Sequence, residues 1–185
     1  MRAARSIAVL CLIPAFGIGL AACGDDKPDE ASPATSFAAA VPETDALFAL
    51  VVNQDDRRVL AYLCDGKNVA TWLKGQATQD GTVTLAGDDG ALVNGRIDGK
   101  ELTGTVTLPG ETSARPLVAS AVNRPAGLYR ARGEVRGEAA VGGWVVLPDG
   151  RQTGAVRTSS GFIDSESNFA KPSKPFSFMD SGADF

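Results

Sequence analysis

The sequence predicts an all-β fold, an antiparallel meander of about ten short strands closed into a small barrel or a curled sandwich. The dipeptide Asp-Gly recurs between short apolar or alternating runs, and it favours tight hairpin turns because both of its positions tolerate a positive φ angle. No window shows the period of an amphipathic helix. Closure is expected because open sheet edges invite aggregation. The Asp-Gly pairs are Asp65-Gly66, Asp80-Gly81, Asp89-Gly90, Asp98-Gly99 and Asp149-Gly150.

The order of polar and apolar residues distinguishes strands with one exposed face from strands that are buried on both faces. In residues 101–108, Glu101 and the threonines occupy one face and the aliphatic residues the other, which indicates one solvated and one buried face. Runs 47–52 and 58–64 are apolar on both faces, so we expect another layer to cover them. The predicted strands are 47–52, 58–64, 69–74, 82–86, 91–97, 101–108, 115–122, 128–134, 143–147 and 152–158.

Residues 1–22 have the organisation of a secretory signal peptide. Arg2 and Arg5 form a positive start, an apolar run follows, and small residues precede residue 23. A transmembrane helix is the alternative, but the run is shorter than the roughly 20 residues that cross a bilayer. Pro14 also interrupts it. The segment therefore predicts export.

The end of this segment, Leu20-Ala21-Ala22-Cys23, resembles the lipobox of bacterial lipoproteins. The resemblance implies that diacylglycerol is attached to the Cys23 thiol, that a peptidase cuts after Ala22, and that acylated Cys23 becomes the first residue. The lipid bilayer is then a partner, on the outer face of the cytoplasmic membrane or, in a Gram-negative source, at the outer membrane. An ordinary secreted protein is the alternative. Two or more acyl chains anchor a protein stably.

Composition divides the remaining chain into three parts. Residues 23–45 are rich in acids and proline and predict a flexible tether in which Phe37 is solvated. Residues 46–164 form the predicted β domain. Residues 165–185 form a tail that contains both phenylalanine and proline. We expect Phe162 and Phe169 to pack back on the domain as a lid, the alternative being an aromatic peptide that docks to a partner.

Charge and composition exclude several function classes. The net charge of −4 argues against a general nucleic-acid binder. The chain has 0 histidines, which excludes Ser-His-Asp and Cys-His nucleophiles and imidazole metal sites. No cofactor is predicted. If Cys11 leaves with the signal and Cys23 is acylated, Cys64 has no disulfide partner, and we expect it to be a buried apolar side chain rather than a reactive thiol.

The remaining candidate groups each have a structural interpretation and a functional alternative. Acid pairs at 25–26, 55–56 and 88–89 are interpreted as turn and linker residues, the alternative being a histidine-free hydrolase. Four arginines are interpreted as a solvated outer face, the alternative being contact with headgroups or an acidic partner. Four aromatic residues are interpreted as core, the alternative being a pocket. The arginines are Arg124, Arg130, Arg132 and Arg136, and the aromatic residues are Tyr62, Trp72, Tyr129 and Trp144.

The segments Tyr62-Leu63-Cys64-Asp65-Gly66, 127–131 and 143–150 are similar to exported proteins of actinobacteria, a resemblance that implies no activity. The sequence predicts an envelope lipoprotein that displays a non-catalytic β-barrel or sandwich binding domain, with an envelope protein or a small amphiphile as its partner. The first alternative is a carrier barrel for a lipid or small amphiphile, its interior lined by residues such as Leu60, Tyr62, Trp72 and Trp144. The hydrolase is the second.

Overall fold

The computed structural model describes residues 34–135 and 137–163, and all regular structure in this part of the chain is β-strand. The all-β prediction is confirmed. The twelve strands are β1 (Ala34–Ala40), β2 (Leu47–Asn53), β3 (Arg58–Cys64), β4 (Ala70–Ala77), β5 (Thr82–Gly87), β6 (Leu92–Asp98), β7 (Glu101–Thr107), β8 (Arg115–Val122), β9 (Gly127–Val135), β10 (Glu138–Val146), β11 (Gln152–Thr158) and β12 (Gly161–Ile163).

Strands β1 to β8 form a closed barrel in which each strand pairs antiparallel with the next. The ring closes between β1 and β8, where Phe37 lies opposite Ala121. Strands β9 to β12 form a second, four-stranded sheet in the order β12-β11-β10-β9, called the outer sheet below. The structure is thus a barrel with an added sheet, and full closure leaves the barrel without a free edge.

The five Asp-Gly turns occur where they were predicted. Each glycine has a φ angle between 56° and 86°, which side chains other than glycine rarely adopt. Four of these turns join successive strands from β3 to β7, and the fifth joins β10 to β11. Local turn chemistry therefore specifies most of the meander.

The barrel interior is filled by one apolar cluster. The alternation predicted for β7 is confirmed, because Leu102 and Val106 are fully buried while Glu101 and Thr103 are exposed. Residues from all eight strands contribute to this cluster. Burying one such aliphatic or aromatic side chain contributes about 1.5–3 kcal/mol relative to leaving it exposed. The largest buried members are Phe37, Phe48, Leu50, Leu63, Leu73, Leu85, Leu102 and Leu117.

A second apolar cluster joins the outside of the barrel to the outer sheet. Strand β3 contributes to both clusters, with Leu63 inside the barrel and Tyr62 facing the outer sheet. Leu128 of β9 and Val145 of β10 cover β1 to β3 from the other side. The expectation that the doubly apolar runs lie under another layer is therefore confirmed.

One part of the predicted organisation is wrong. Residues 34–45 were assigned to the flexible tether, but 34–40 form β1 and Phe37 is buried in the barrel interior. Alanine has a low strand propensity, so the run Phe37-Ala38-Ala39-Ala40 carries no clear strand signal. Its small side chains suit a strand covered on both sides. Strand β10 also begins at Glu138 rather than 143, because glycines interrupt its pattern.

The position of β1 generates a test of the domain boundary. A chain that begins at residue 31 should unfold cooperatively, whereas one that begins at residue 44 should lose the cooperative transition. The shorter chain lacks the strand that pairs with both β2 and β8 and that inserts Phe37 into the core. Urea denaturation followed by circular dichroism measures this, and equal midpoints for the two chains would contradict the assignment.

The contact between the outer sheet and the barrel depends on Gly143. A Cβ atom at this position would lie 2.6 Å from Cζ of the buried Tyr62 ring. We expect Gly143→Ala to lower the free energy of unfolding by about 1–3 kcal/mol, because the ring has no room to move. Gly133→Ala on neighbouring β9 is the matched control, since its Cβ would meet no atom within 4 Å. Equal stabilities of the two variants would show that the layers are not in close contact.

Candidate functional site

A groove of about 270 Å³ lies between the barrel and the outer sheet. Its walls are largely apolar, with arginine and hydroxyl groups at the margin. The barrel side consists of residues on β3 and β4, and the sheet side of residues on β10, β11 and the turn that follows β11. The lining residues used below are Tyr62, Ala70 and Trp72 on the barrel, and Ala139, Val141 and Arg157 on the sheet.

Two aromatic side chains form the barrel side of the groove. Tyr62 and Trp72 lie opposite each other on β3 and β4, with ring centroids 4.6 Å apart and planes inclined at 43°. Such a tilted arrangement is favourable for aromatic pairs. Tyr62 is buried beneath Gly143, whereas Trp72 is half-buried and borders the groove. The indole therefore presents a fixed apolar surface.

Arginines come from the outer sheet on the side that faces the barrel. Arg130 lies over Trp72, with Cζ 5.6 Å from the ring centroid, which is within the range of a cation–π interaction. Arg130 is the β9 partner of Gly143, and Arg132 and Arg157 are both partners of Val141 on β10. Residues directly opposite each other in a sheet point to the same face. The three arginines therefore share the face of the outer sheet that meets the barrel.

Cys64 and Arg157 affect the ionisation of Tyr62 on the barrel side of the groove. Burial raises the pKa of the Tyr62 hydroxyl, the adjacent Cys64 raises it further, and the positive charge of Arg157 opposes the shift. The phenol is therefore neutral at physiological pH. Tyr62 and Arg157 both line the groove.

Glu138, the first residue of β10, alternates with Ala139 and so lies on the face of the outer sheet that points away from the barrel. Its oxygens accept hydrogen bonds from the Ser159 hydroxyl at 2.9 Å and the Ser160 amide at 3.1 Å. Hydrogen bonds from the Ser160 and Ser159 side chains are the main cause that lowers the pKa of this carboxyl group. Neutral donors of the β11–β12 turn thus hold this carboxylate.

The prediction that Cys64 is a buried apolar side chain is confirmed. Its Sγ atom accepts a hydrogen bond from the Gly66 amide at 3.3 Å and lies 3.9 Å from Oγ1 of Thr153. Burial raises the pKa of the thiol. The thiolate is the reactive form of cysteine, so this environment makes Cys64 unreactive at neutral pH.

The predicted lining of the barrel interior is wrong. Leu60 and Tyr62 point out of the barrel towards the outer sheet, because they alternate with the inward residues of β3. Trp72 borders the groove outside the barrel. Trp144 lies on the far side of the outer sheet, where it packs with Ala140 and Val156. The interior itself is occupied by the cluster described above.

The acid pairs of the described residues belong to turns, as predicted. Asp55 follows β2, and its amide donates to Oδ1 of Asn53 at 2.8 Å. Asp89 lies in the β5–β6 turn, where its Oδ1 accepts from the Thr71 hydroxyl at 2.9 Å. No group of three or more potential metal-ligating Cys, Asp or Glu side chains occurs within residues 34–135 and 137–163.

The predictions for the four arginines are partly confirmed and partly wrong. Arg124 is exposed between β8 and β9, and Arg130 and Arg132 share a face as predicted. That face meets the barrel, so the interpretation as a solvated outer face is wrong for the half-buried Arg130. Other predicted residues lie outside the described residues: Cys23, the acid pair at 25–26, Arg136, Phe169 and the rest of the tail.

Sequence reasoning missed Arg157 and Val141. The period of two in β11 places Arg157 on the same face as Ala155, but the sequence does not show which face meets the barrel.

Comparisons of the chain with protein families, with curated proteins and with solved structures give no match. Within the described residues, no helix has the length and apolar character needed to cross a membrane.

The buried thiol and phenol predict a loss of stability at alkaline pH. Unfolded cysteine ionises near pH 8.5, whereas the raised pKa keeps folded Cys64 protonated. Stability should therefore fall as the pH rises above about 8.5, because ionisation stabilises only the unfolded state. Cys64 should account for up to about 1.4 kcal/mol of the loss at one pH unit above that value.

Urea denaturation between neutral pH and pH 10 measures this effect. Cys11 and Cys23 are replaced by serine in all chains, so that Cys64 is the remaining cysteine. Cys64→Ala is the comparison, and its stability should decline only when Tyr62 and other groups begin to titrate. Identical pH profiles with and without the Cys64 thiol would contradict the prediction.

Proposed function

We propose that the protein is a cell-envelope lipoprotein, anchored through acylated Cys23, whose β domain binds a ligand without chemical catalysis. The signal-like segment and the lipobox resemblance support the anchor. The groove carries the binding part of the proposal, because it combines an indole surface, apolar walls and Arg157 in one concavity, with Arg130 over the indole. Small-molecule sites are typically concave and apolar with a few polar groups that orient the ligand.

The chemistry of the groove supports binding rather than catalysis. General acid–base catalysis needs a group whose pKa lies near the working pH. Burial raises the pKa of the Tyr62 hydroxyl further from neutrality. A guanidinium group has donors and no acceptor, so it cannot serve as a general base. These groups can hold and orient a ligand but exchange no proton with it at neutral pH.

The anchor and the fold together set the position of the domain. Ten residues separate Cys23 from the first residue of β1. A fully extended chain of this length spans at most about 40 Å. The proposed anchor therefore keeps the first residue of β1 within about 40 Å of the bilayer surface, and the domain close to the membrane. The domain would then meet ligands released from the membrane or moving towards it.

Cell fractionation of cysteine variants tests the anchor. The full chain is expressed in an actinobacterium, and Cys23→Ser is compared with Cys11→Ser, which makes the same change within the segment that the signal peptidase removes. Wild type and Cys11→Ser should be found in the membrane fraction, with a diacylglycerol mass on the N-terminal peptide. Cys23→Ser should be lost from that fraction. Membrane association of Cys23→Ser, with no lipid mass on the wild type, would refute the anchor.

A further inference from the structure

We propose that the groove binds a small single-chain amphiphile with an anionic head group, with the chain between Trp72 and Val141 and the head at Arg130 and Arg157. This inference rests on the proposed function in that it names the ligand class of the same site. The carrier alternative placed such a ligand inside the barrel. The geometry points instead to the outside of the barrel wall.

The size of the groove and its apolar walls indicate what apolar part of a ligand it can hold. A volume of about 270 Å³ lies just below the range of about 300–1,000 Å³ that drug-sized ligands occupy. One chain or ring therefore suits the groove better than a two-chain lipid. Ala70 and Trp72 on one side, with Ala139 and Val141 on the other, offer it apolar contacts.

The positive charge beside the groove indicates that the head group of the ligand is anionic. Arg157 of β11 lines the groove, and Arg130 of β9 lies over the Trp72 ring that borders it. Arg132 lies opposite Val141 on the same face of the outer sheet. Guanidinium groups bind carboxylate and phosphate through paired hydrogen bonds. This grouping of cations occurs in a chain with a net charge of −4.

The carboxylates near the groove do not favour a cationic ligand. Glu138 already accepts hydrogen bonds from Ser159 and Ser160 of the β11–β12 turn. Glu134, the β9 partner of Ala139, is a carboxylate on the barrel-facing side of the outer sheet, where Arg130, Arg132 and Arg157 outnumber it. The positive charge in excess on this face favours an anionic amphiphile.

Trp72 provides a direct readout of occupancy. The chain has 2 tryptophans, so Trp144→Phe leaves Trp72 as the single fluorescent indole, and Trp144 lies on the far side of the outer sheet. The experiment uses the full chain with Trp144→Phe and Cys23→Ser, so that no attached lipid competes for the groove. Decanoate, decanol and acetate are titrated at neutral pH below the micellar concentration.

Decanoate should produce a saturable change in Trp72 emission. Decanol, which has the same chain without the charge, should bind at least about tenfold more weakly, because it forms no charge-assisted hydrogen bonds. Acetate should give no saturation. Arg157→Gln should weaken decanoate binding by about tenfold or more and leave decanol binding unchanged.

Arg151→Gln is the matched control. It makes the same charge change beside the other end of β11, where Arg151 pairs with Asp149 at 2.8 Å. Decanoate affinity should be unchanged in this variant. Equal urea midpoints for the two arginine variants establish that the difference comes from the groove rather than from folding.

Several results would overturn the proposal. Equal affinities for decanoate and decanol would refute recognition of an anionic head group. Equal effects of Arg157→Gln and Arg151→Gln would refute binding in the groove. Binding to anionic vesicles without binding of monomeric decanoate would indicate a membrane surface contact. Saturation by a peptide of residues 165–185 and not by decanoate would assign the groove to the chain's own tail. None of these results alters the fractionation of Cys23→Ser, so failure of the ligand class and failure of the anchor remain distinguishable.

Discussion

The double burial of strand β3 is the constraint on which the rest of the structure depends. Val59, Ala61 and Leu63 point into the barrel, while Leu60, Tyr62 and Cys64 point towards the outer sheet. A shift of one residue would exchange the two sets, so both clusters together specify the register of β3. The small residue Gly143 then lets β10 approach the ring of Tyr62, which brings the two layers into contact at this position.

This arrangement explains why the groove lies outside the barrel. The eight-stranded interior is filled by its own side chains, as is common for barrels of this size. The outer sheet contacts the barrel through Leu128, Val145 and Ala155, whereas Ala139 and Val141, further along β10, line the groove. A ligand there touches the wall of the barrel and needs no opening of the closed ring to enter or leave.

The sequence was most informative where structure is local. Asp-Gly chemistry located five turns, and apolar runs on both faces identified β2 and β3 as covered strands. It was least informative where structure depends on pairing: the alanines of β1 carry no strand signal, yet β1 closes the ring between β2 and β8. Likewise, no sequence pattern shows that Arg130 faces Trp72 and that Trp144 faces away, because that requires knowing which side of the outer sheet meets the barrel.

The side-chain pattern of the outer sheet is the strongest physical sign that the groove serves binding. Along β9, the barrel-facing positions change from Leu128 to Arg130 and Arg132, and along β11 they change from Ala155 to Arg157. Packing alone would favour an apolar residue in place of the half-buried Arg130, because partial burial of a guanidinium group carries a desolvation cost, whereas Arg132 and Arg157 are exposed. The apolar alternative is present on the opposite face, where Trp144 packs with Ala140 and Val156. Departures from the packing rule concentrate at functional sites. Arg130, the side chain that departs from this rule, is one of the two that would hold an anionic head group.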